Sequence, residues 1–220
     1  MFSVSGQSTP RFVYRYLQRK EDALAFVTGR VWLSTVERVR YHDAHRADPL
    51  DARLAYDLTA LGPETPPSVT EIIKERISGV IRNADDVPLH LKGVRLTRDV
   101  RDAYLLCTSL DGRSAKLRRL FGRHVVRIAK PADFAQKVLN ALGAAKLAST
   151  ATLAPVQYKG QTFADAEASV GSPGFASRAS LADEREFRFL FRPERAPDGF
   201  CLAPVMVDVP AAAVFCSIVS

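Results

Sequence analysis

Cysteine is scarce in this chain, and the three present, Cys107, Cys201 and Cys216, stand far apart. An odd number without CxxC spacing excludes a disulfide framework and argues against a thiolate zinc site, so reduced thiols are expected. No stretch approaches the roughly 18 consecutive apolar residues of a membrane span. The opening MFSVSGQSTPRF has no apolar core of signal-peptide length. A cytoplasmic protein without membrane contact is expected, exported only by a secretion machine that reads no cleaved signal. The glycine loops that cradle phosphate, GxGxxG and GxxxxGK[ST], are both missing, and the SPG between Gly171 and Gly174 reads as a flexible turn. No GxSxG is present, which removes the nucleophile elbow. His42 and His45, beside Asp43 and Asp48, sit in a loop with no Cys or further His near, so no metal site is expected. Internal repeats are also absent.

What is there is an ordinary globular composition: 220 residues, 47% hydrophobic and 25% charged, with 13 Pro and 12 Gly. At about 100 to 200 residues per domain, one domain spanning 1–220 is expected, with a substantial core. Lys and Arg outnumber Asp and Glu by 31 − 24 = 7. The surface should attract polyanions, phosphate-bearing ligands or acidic proteins.

Along the chain, RFVYRYL at 11–17 reads as a strand, KEDALAFVTG as a short helix ended by Gly29, and RVWLST as a second strand. The polar VRYHDAHRADPLDARLAYDL, broken at Asp48-Pro49, predicts a long loop leading into a short helix. Long irregular segments carry function often enough to mark 36–52 as a candidate site-forming loop. SVTEIIKERISGVIRNA has a Ser68–Glu71 capping box and Ile72, Ile73, Ile77, Val80 and Ile81 at helical spacing. Next come a buried strand at 104–109, a basic helix over 114–121 and the strand HVVRIAK. A helix in PADFAQKVLNALGAAKLA follows, with Phe134, Val138, Ala141, Leu142 and Ala145 on one side. The last third, TLAPVQY, EFRFLFR, FCLAPVMVDV and AVFCSIV, is strand-like. Its strands are too close for helical crossovers, which predicts an α+β fold in place of alternating βαβ units.

The sharpest local feature is LADEREFRFLF at 181–191. With a strand starting near Glu184, alternation puts Glu184, Glu186, Arg188 and Leu190 on one face and Phe187, Phe189 and Phe191 on the other. The two carboxylates would lie roughly 7 Å apart. A charged ladder on a solvent face accounts for this pattern as well as a buried site does.

The order of the pieces carries a resemblance. Tyr14-Arg15-Tyr16 on the first strand, RVWLST on the second, Asp48-Pro49-Leu50-Asp51, Cys107-Thr108-Ser109, a late Val156-Gln157-Tyr158 and Glu184-x-Glu186-x-Arg188 span residues 12–191. This resembles an uncharacterised bacterial family with a YKYR-like start, LWFSSP, an NDPFD loop, a CFS segment and a final ExExR. That family in turn resembles the Arg-Ser-Glu branch of the ADP-ribosyltransferase superfamily. The resemblance implies two packed, mostly antiparallel sheets with flanking helices and NAD held in the cleft between them. It also implies transfer of ADP-ribose to a macromolecular acceptor, protein or nucleic acid, in a toxin, effector or defence setting.

Under that resemblance Glu186 stabilises the positive charge that develops on the ribose, and Glu184 helps deprotonate the acceptor. Arg15 pairs with a pyrophosphate oxygen, with Tyr14 and Tyr16 flanking it in the cofactor site. Ser109, or Thr108 in its place, holds the ribose or orients Glu186. Glu186 is then expected to be needed for turnover but not for folding.

After CFS the family carries an LMWxxYA-like helix, where this chain has SLDGRSAKLRRLFGRH. An aromatic wall would have to come from Phe121, Tyr41 or Trp32, and Trp32 reads more simply as core. Asn of the family's loop is Ala47 here. The run Arg113, Lys116, Arg118, Arg119, Arg123, Arg127 and Lys130 puts seven cations in eighteen positions. Arg118, Arg119 and Arg123 are candidate contacts to an acceptor or nucleic acid, although the run holds no aromatic but Phe121 for base stacking. Two other readings stay open: a non-enzymatic binding module with a degraded pocket, and an NAD glycohydrolase in which water replaces the acceptor.

Overall fold

The computed structural model describes residues 2–4, 9–42, 53–61, 91–99, 102–158, 162–163, 175–177, 179–194 and 202–219. Strands β1 (Phe2–Val4) and β2 (Phe12–Leu17) precede α1 (Lys20–Val27), β3 (Arg30–Thr35) and α2 (Val36–His42). Then come β4 (Arg53–Leu61), β5 (Leu91–Asp99), β6 (Tyr104–Ser109), α3 (Ala115–Phe121), β7 (His124–Ala129) and α4 (Pro131–Ala144). The last third holds β8 (Thr150–Pro155), β9 (Gln157–Tyr158), β10 (Thr162–Phe163), β11 (Ala176–Ser177), β12 (Glu186–Arg192), β13 (Val205–Asp208) and β14 (Cys216–Val219). Two 3-10 helices, Ala179–Glu184 and Pro210–Phe215, are interleaved with these strands.

The fold is α+β with mostly antiparallel strands. Its main sheet has the order β1-β8-β12-β6-β2-β7-β14, and β3 also leaves β6, carrying β13 on its far side. Tyr104 and Leu105 of β6 pair with Thr35 and Ser34 of β3, whereas Ser109 at the other end of β6 pairs with Tyr14 of β2. The sheet therefore forks along β6 into two arms, and among the described residues a three-stranded sheet β10-β4-β5 and a two-stranded pair β11-β9 accompany it. The arms share a core: Val13, Val126 and Ile128 of one and Val31, Leu33 and Val207 of the other meet Phe26 of α1 and Phe134, Val138 and Leu142 of α4. Phe187 and Phe189 pack edge to face at 5.5 Å, and Phe189 meets Phe134 at 5.8 Å. The three alternate phenylalanines of β12 thus belong to this core, as the period-2 pattern predicts.

Several expectations are corrected. The segment read as a loop from 36 onward begins as helix α2, and Arg53–Leu61 is a strand where a short helix was expected; it pairs with β5. FCLAPVMVDV contracts to the four-residue β13, and AVFCSIV to β14 preceded by a 3-10 turn. Pro210 explains the turn, because it fixes φ and donates no N–H to a ladder. Three short parallel pairs, β1 with β8, β4 with β10 and β9 with β11, join the antiparallel majority. The helix expected over 68–84, the Asp48-Pro49-Leu50-Asp51 loop, His45 and Cys201 lie outside the described residues, as do the side chains of Tyr41 and His42.

Candidate functional site

The fork in the sheet creates the site. Where β2 and β3 diverge from β6, the middle of β6 has no strand partner on that side among the described residues. Arg15 reaches in from β2, its Nη1 donating to the Cys107 carbonyl at 2.6 Å. A cavity of about 390 Å³ opens there, within the size range of small-molecule sites. β2 contributes Tyr14, Arg15 and Tyr16, β6 contributes Cys107, Thr108 and Ser109, β3 contributes Trp32 and Ser34, and α3 contributes Leu117, Leu120 and Phe121.

Five of the seven expected catalytic or cofactor residues, Tyr14, Arg15, Tyr16, Thr108 and Ser109, therefore line one cavity. The two glutamates lie beside it and are not among its lining residues. Glu186 sits directly opposite Ser109 in the β12–β6 ladder, and Ser109 directly opposite Tyr14 in the β6–β2 ladder. Residues so paired hold their Cβ atoms about 5 Å apart. Tyr14, Ser109 and Glu186, 172 residues apart end to end, thus form one cross-strand row.

Glu184 differs from its expected place. It ends the 3-10 helix, and Arg185, with φ of 44°, turns the chain before β12 begins at Glu186. The two carboxylates are not successive rungs of a strand. Ser109 faces Glu186 in the ladder and holds the Glu184 backbone: its Oγ donates to the Glu184 carbonyl at 2.7 Å and accepts from the Asp111 N–H at 3.0 Å. Thr108 Oγ1 donates to the Phe187 carbonyl at 2.7 Å, so both hydroxyls are joined to backbone.

Glu186 and Arg188 form a 3.0 Å ion pair with each side chain only 2% exposed, and Glu184 is 3% exposed. The solvated ladder that explained the motif equally well is excluded. Tyr158, which the sequence places only in a motif, proves to be a site residue: its hydroxyl accepts the Glu186 N–H at 2.6 Å. Burial pushes the Tyr158 phenol up, and the nearby Glu186 and Glu184 carboxylates push the same way. Tyr16 is likewise raised, first by burial and then by Asp111, whose carbonyl accepts its hydroxyl at 2.6 Å.

Trp32 is the clearest reversal among aromatic residues. It is 45% exposed and lines the cavity, where core was the simpler reading. Phe121 lines it too. The signal for Trp32 was present in the alternation of RVWLST, which buries Val31 and Leu33 and so turns Trp32 outward. Of the basic candidates, Arg119 and Arg123 are exposed, and half-buried Arg118 donates to the Arg123 carbonyl at 3.2 Å.

Compared with protein-family models, with curated proteins and with solved structures, the chain finds no match. Among the described residues no group of three or more His, Cys, Asp or Glu could hold a metal ion. No helix among them is long and apolar enough to cross a membrane.

Proposed function

We propose that this chain is an NAD-dependent ADP-ribosyltransferase modifying a macromolecular acceptor, with the cavity in the fork as its NAD site. The observation that carries the reading is the Tyr14–Ser109–Glu186 row with Arg15 beside it. Residue types chosen for this chemistry from three distant segments come together, those of β2 and β6 lining one cleft and Glu186 of β12 beside it. The cavity also suits the group chemically: one guanidinium, several hydroxyls and the rings of exposed Trp32 and half-buried Phe121 fit a phosphorylated, partly aromatic ligand. Bound there, NAD would supply an ADP-ribosyl group as nicotinamide leaves.

The chain's own part follows from charge. Arg15 binds the pyrophosphate by its planar fork of donors. Arg188 keeps Glu186 paired in a water-poor setting, where a carboxylate acts strongly on a positive centre because the local dielectric is low. Tyr158 and Ser109 fix where the Glu186 and Glu184 backbones stand. Toxin, effector or defence activity in the cytoplasm is the setting that the resemblance suggests.

A second reading has its own support: Ser109 is bonded within the fold at both ends of its hydroxyl, and Glu186 is sealed against Arg188. A binding module with a degraded pocket would look like this. Calorimetry with NAD separates the two. For the enzyme we expect binding that Arg15→Ala weakens at least about tenfold, in line with about 1.5 to 3 kcal/mol for a hydrogen bond to a charged group, while Arg118→Ala with Arg119→Ala leaves it nearly unchanged. Absence of binding at millimolar NAD, with no nicotinamide released, would overturn the enzyme reading, and salt-sensitive nucleic-acid binding lost in the double Arg variant would then support the binding module.

A further inference from the structure

A second feature lies on the same sheet face, next to the cavity. Tyr14 faces Arg127 of β7 in register, and Arg127 faces Ser217 of β14, so the polar row continues from Glu186 and Ser109 across the whole β2–β7–β14 arm. Arg127 and Arg11 are exposed, and their guanidinium carbons lie 5.0 Å and 5.1 Å from the ring centroid of Phe12. Lys130 is exposed as well, its N–H bonded to the Arg11 carbonyl at 3.1 Å. Among the described residues no carboxylate pairs with Arg11, Arg127 or Lys130, whereas Lys116 and Arg30 elsewhere on the surface are paired with Asp183 and Asp208. The opposite face of this arm, Val13, Val126 and Ile128, is core, so packing does not require cations here.

We infer that this Arg11–Phe12–Arg127 face docks a single-stranded nucleic acid, which leads along the β2–β7 surface to Tyr14 at the mouth of the cavity. Three observations favour this partner over an acidic protein. The cations are arginines grouped on an aromatic ring, and a guanidinium plane held over a ring offers its outer side to a base. Arg127 lies on β7, with Arg11 just before β2 and Lys130 just after β7, so the cations gather at one end of the β2–β7 pair, along which a backbone can run. The whole chain carries +7, so the attraction is not cancelled at longer range. The basic run had no ring for stacking other than Phe121 in sequence; the fold supplies one from β2, more than a hundred residues away. That the docked strand is the acceptor of ADP-ribose rests on the enzyme reading proposed for the cavity, but docking itself does not.

The test is fluorescence anisotropy with a labelled oligo-dT of about twelve nucleotides, without NAD, across salt from about 50 to 200 mM. An abasic sugar-phosphate oligomer and poly-glutamate serve as competitors. We expect salt-dependent binding that Arg11→Ala with Arg127→Ala weakens at least about tenfold. The slope of log K against log salt should become shallower by about 1.4, since each phosphate that a single strand no longer has neutralised takes about 0.7 from it. Phe12→Leu should weaken oligo-dT but not the abasic oligomer, and Arg30→Ala on the other arm should change neither. Melting temperature, followed in parallel, separates weakened docking from a damaged fold. The inference is overturned by absence of oligo-dT binding at low salt, by equal binding in the folded double variant, or by equal binding of abasic and base-bearing oligomers. Competition by poly-glutamate as strong as by oligo-dT would assign the face to an acidic protein and overturn it too. NAD binding alongside any of these failures would leave the enzyme reading standing, and docking without NAD binding would do the reverse.

Discussion

At the scale of single residues, the pair Glu186–Arg188 sets what a substitution at the site can report. A glutamine at 186 keeps the volume of glutamate but removes the charge that Arg188 faces at 3.0 Å in a setting 2% exposed on both sides. Losing one end of a buried ion pair removes a charge partner where desolvation makes that loss costly, up to about 3 to 5 kcal/mol. The expectation that Glu186 serves turnover without serving stability is therefore replaced by a different one. Glu186→Gln should lower the urea midpoint of unfolding markedly at unchanged m, and Glu186→Leu with Arg188→Met should recover most of the loss. A midpoint unmoved by the single change would mean that water reaches the pair. Activity lost in Glu186→Gln can be assigned to chemistry only after the folded fraction has been measured.

At the scale of elements, short helix α3 borders the cavity and is fixed at both ends by features the sequence displays. Ser114 Oγ accepts from the Leu117 N–H at 3.2 Å, and Gly122 ends the helix at φ of +121°. A Cβ on Gly122 would run into the Leu17 carbonyl, so both conformation and space demand glycine. Gly122→Ala should destabilise by more than about 1 kcal/mol, the level at which a conformationally compatible change would act with opposite sign. It should also loosen the wall formed by Leu117, Leu120 and Phe121, seen as faster amide exchange in α3. Ordinary stability with unchanged exchange would show that the turn adapts.

The same scale explains what is legible in the sequence. Elements whose signals are local, the alternation of RVWLST and EFRFLFR, the Pro131 start of α4 and the Gly29 stop after α1, could be read from the sequence. The residue types at the site were readable too, since an Arg amid aromatics and a Glu amid phenylalanines violate packing preference. The fork was not readable, because it depends on β6 changing partners between Leu105 and Ser109, and nothing within YLLCTS marks that change. Glu184 was misplaced for a related reason: alternation continues on paper through Arg185, while the backbone there turns at positive φ. Tyr158 and the Phe12 cluster were missed because their partners come from remote strands.

At the scale of the whole molecule, two pH-dependent effects meet on the alkaline side. The chain carries +7 at pH 7 with a sequence pI near 9.5, so deprotonation relieves self-repulsion only up to that pH and builds negative repulsion beyond it. To this are added acids that the fold holds neutral by burial. Cys216 is pushed up from 9.0 to about 12, and Tyr158, Tyr16 and Tyr104 are each raised above 10.0. For a group whose folded pKa lies above its unfolded one, the protonated form is favoured by folding. The unfolded chain then releases its proton first, and stability falls as pH rises. The contribution of Cys216 is complete below about pH 9 and is lost between there and about 12; the tyrosines add theirs from about pH 10 upward. Each such group contributes a slope of at most about 1.4 kcal/mol per pH unit. Surface repulsion is spread over a wide area and screened within about 10 Å at 0.1 M salt. The buried acids should therefore dominate. Stability measured by urea unfolding should decline from about pH 9 and more steeply above about 10, and added salt should soften the decline above about 10 by screening the negative repulsion that grows past the isoelectric point. Cys216→Ala should flatten the segment between about pH 9 and 10 and leave the upper segment intact, whereas a flat alkaline profile in the unmodified protein would mean that Cys216 and the tyrosines titrate as they do in water.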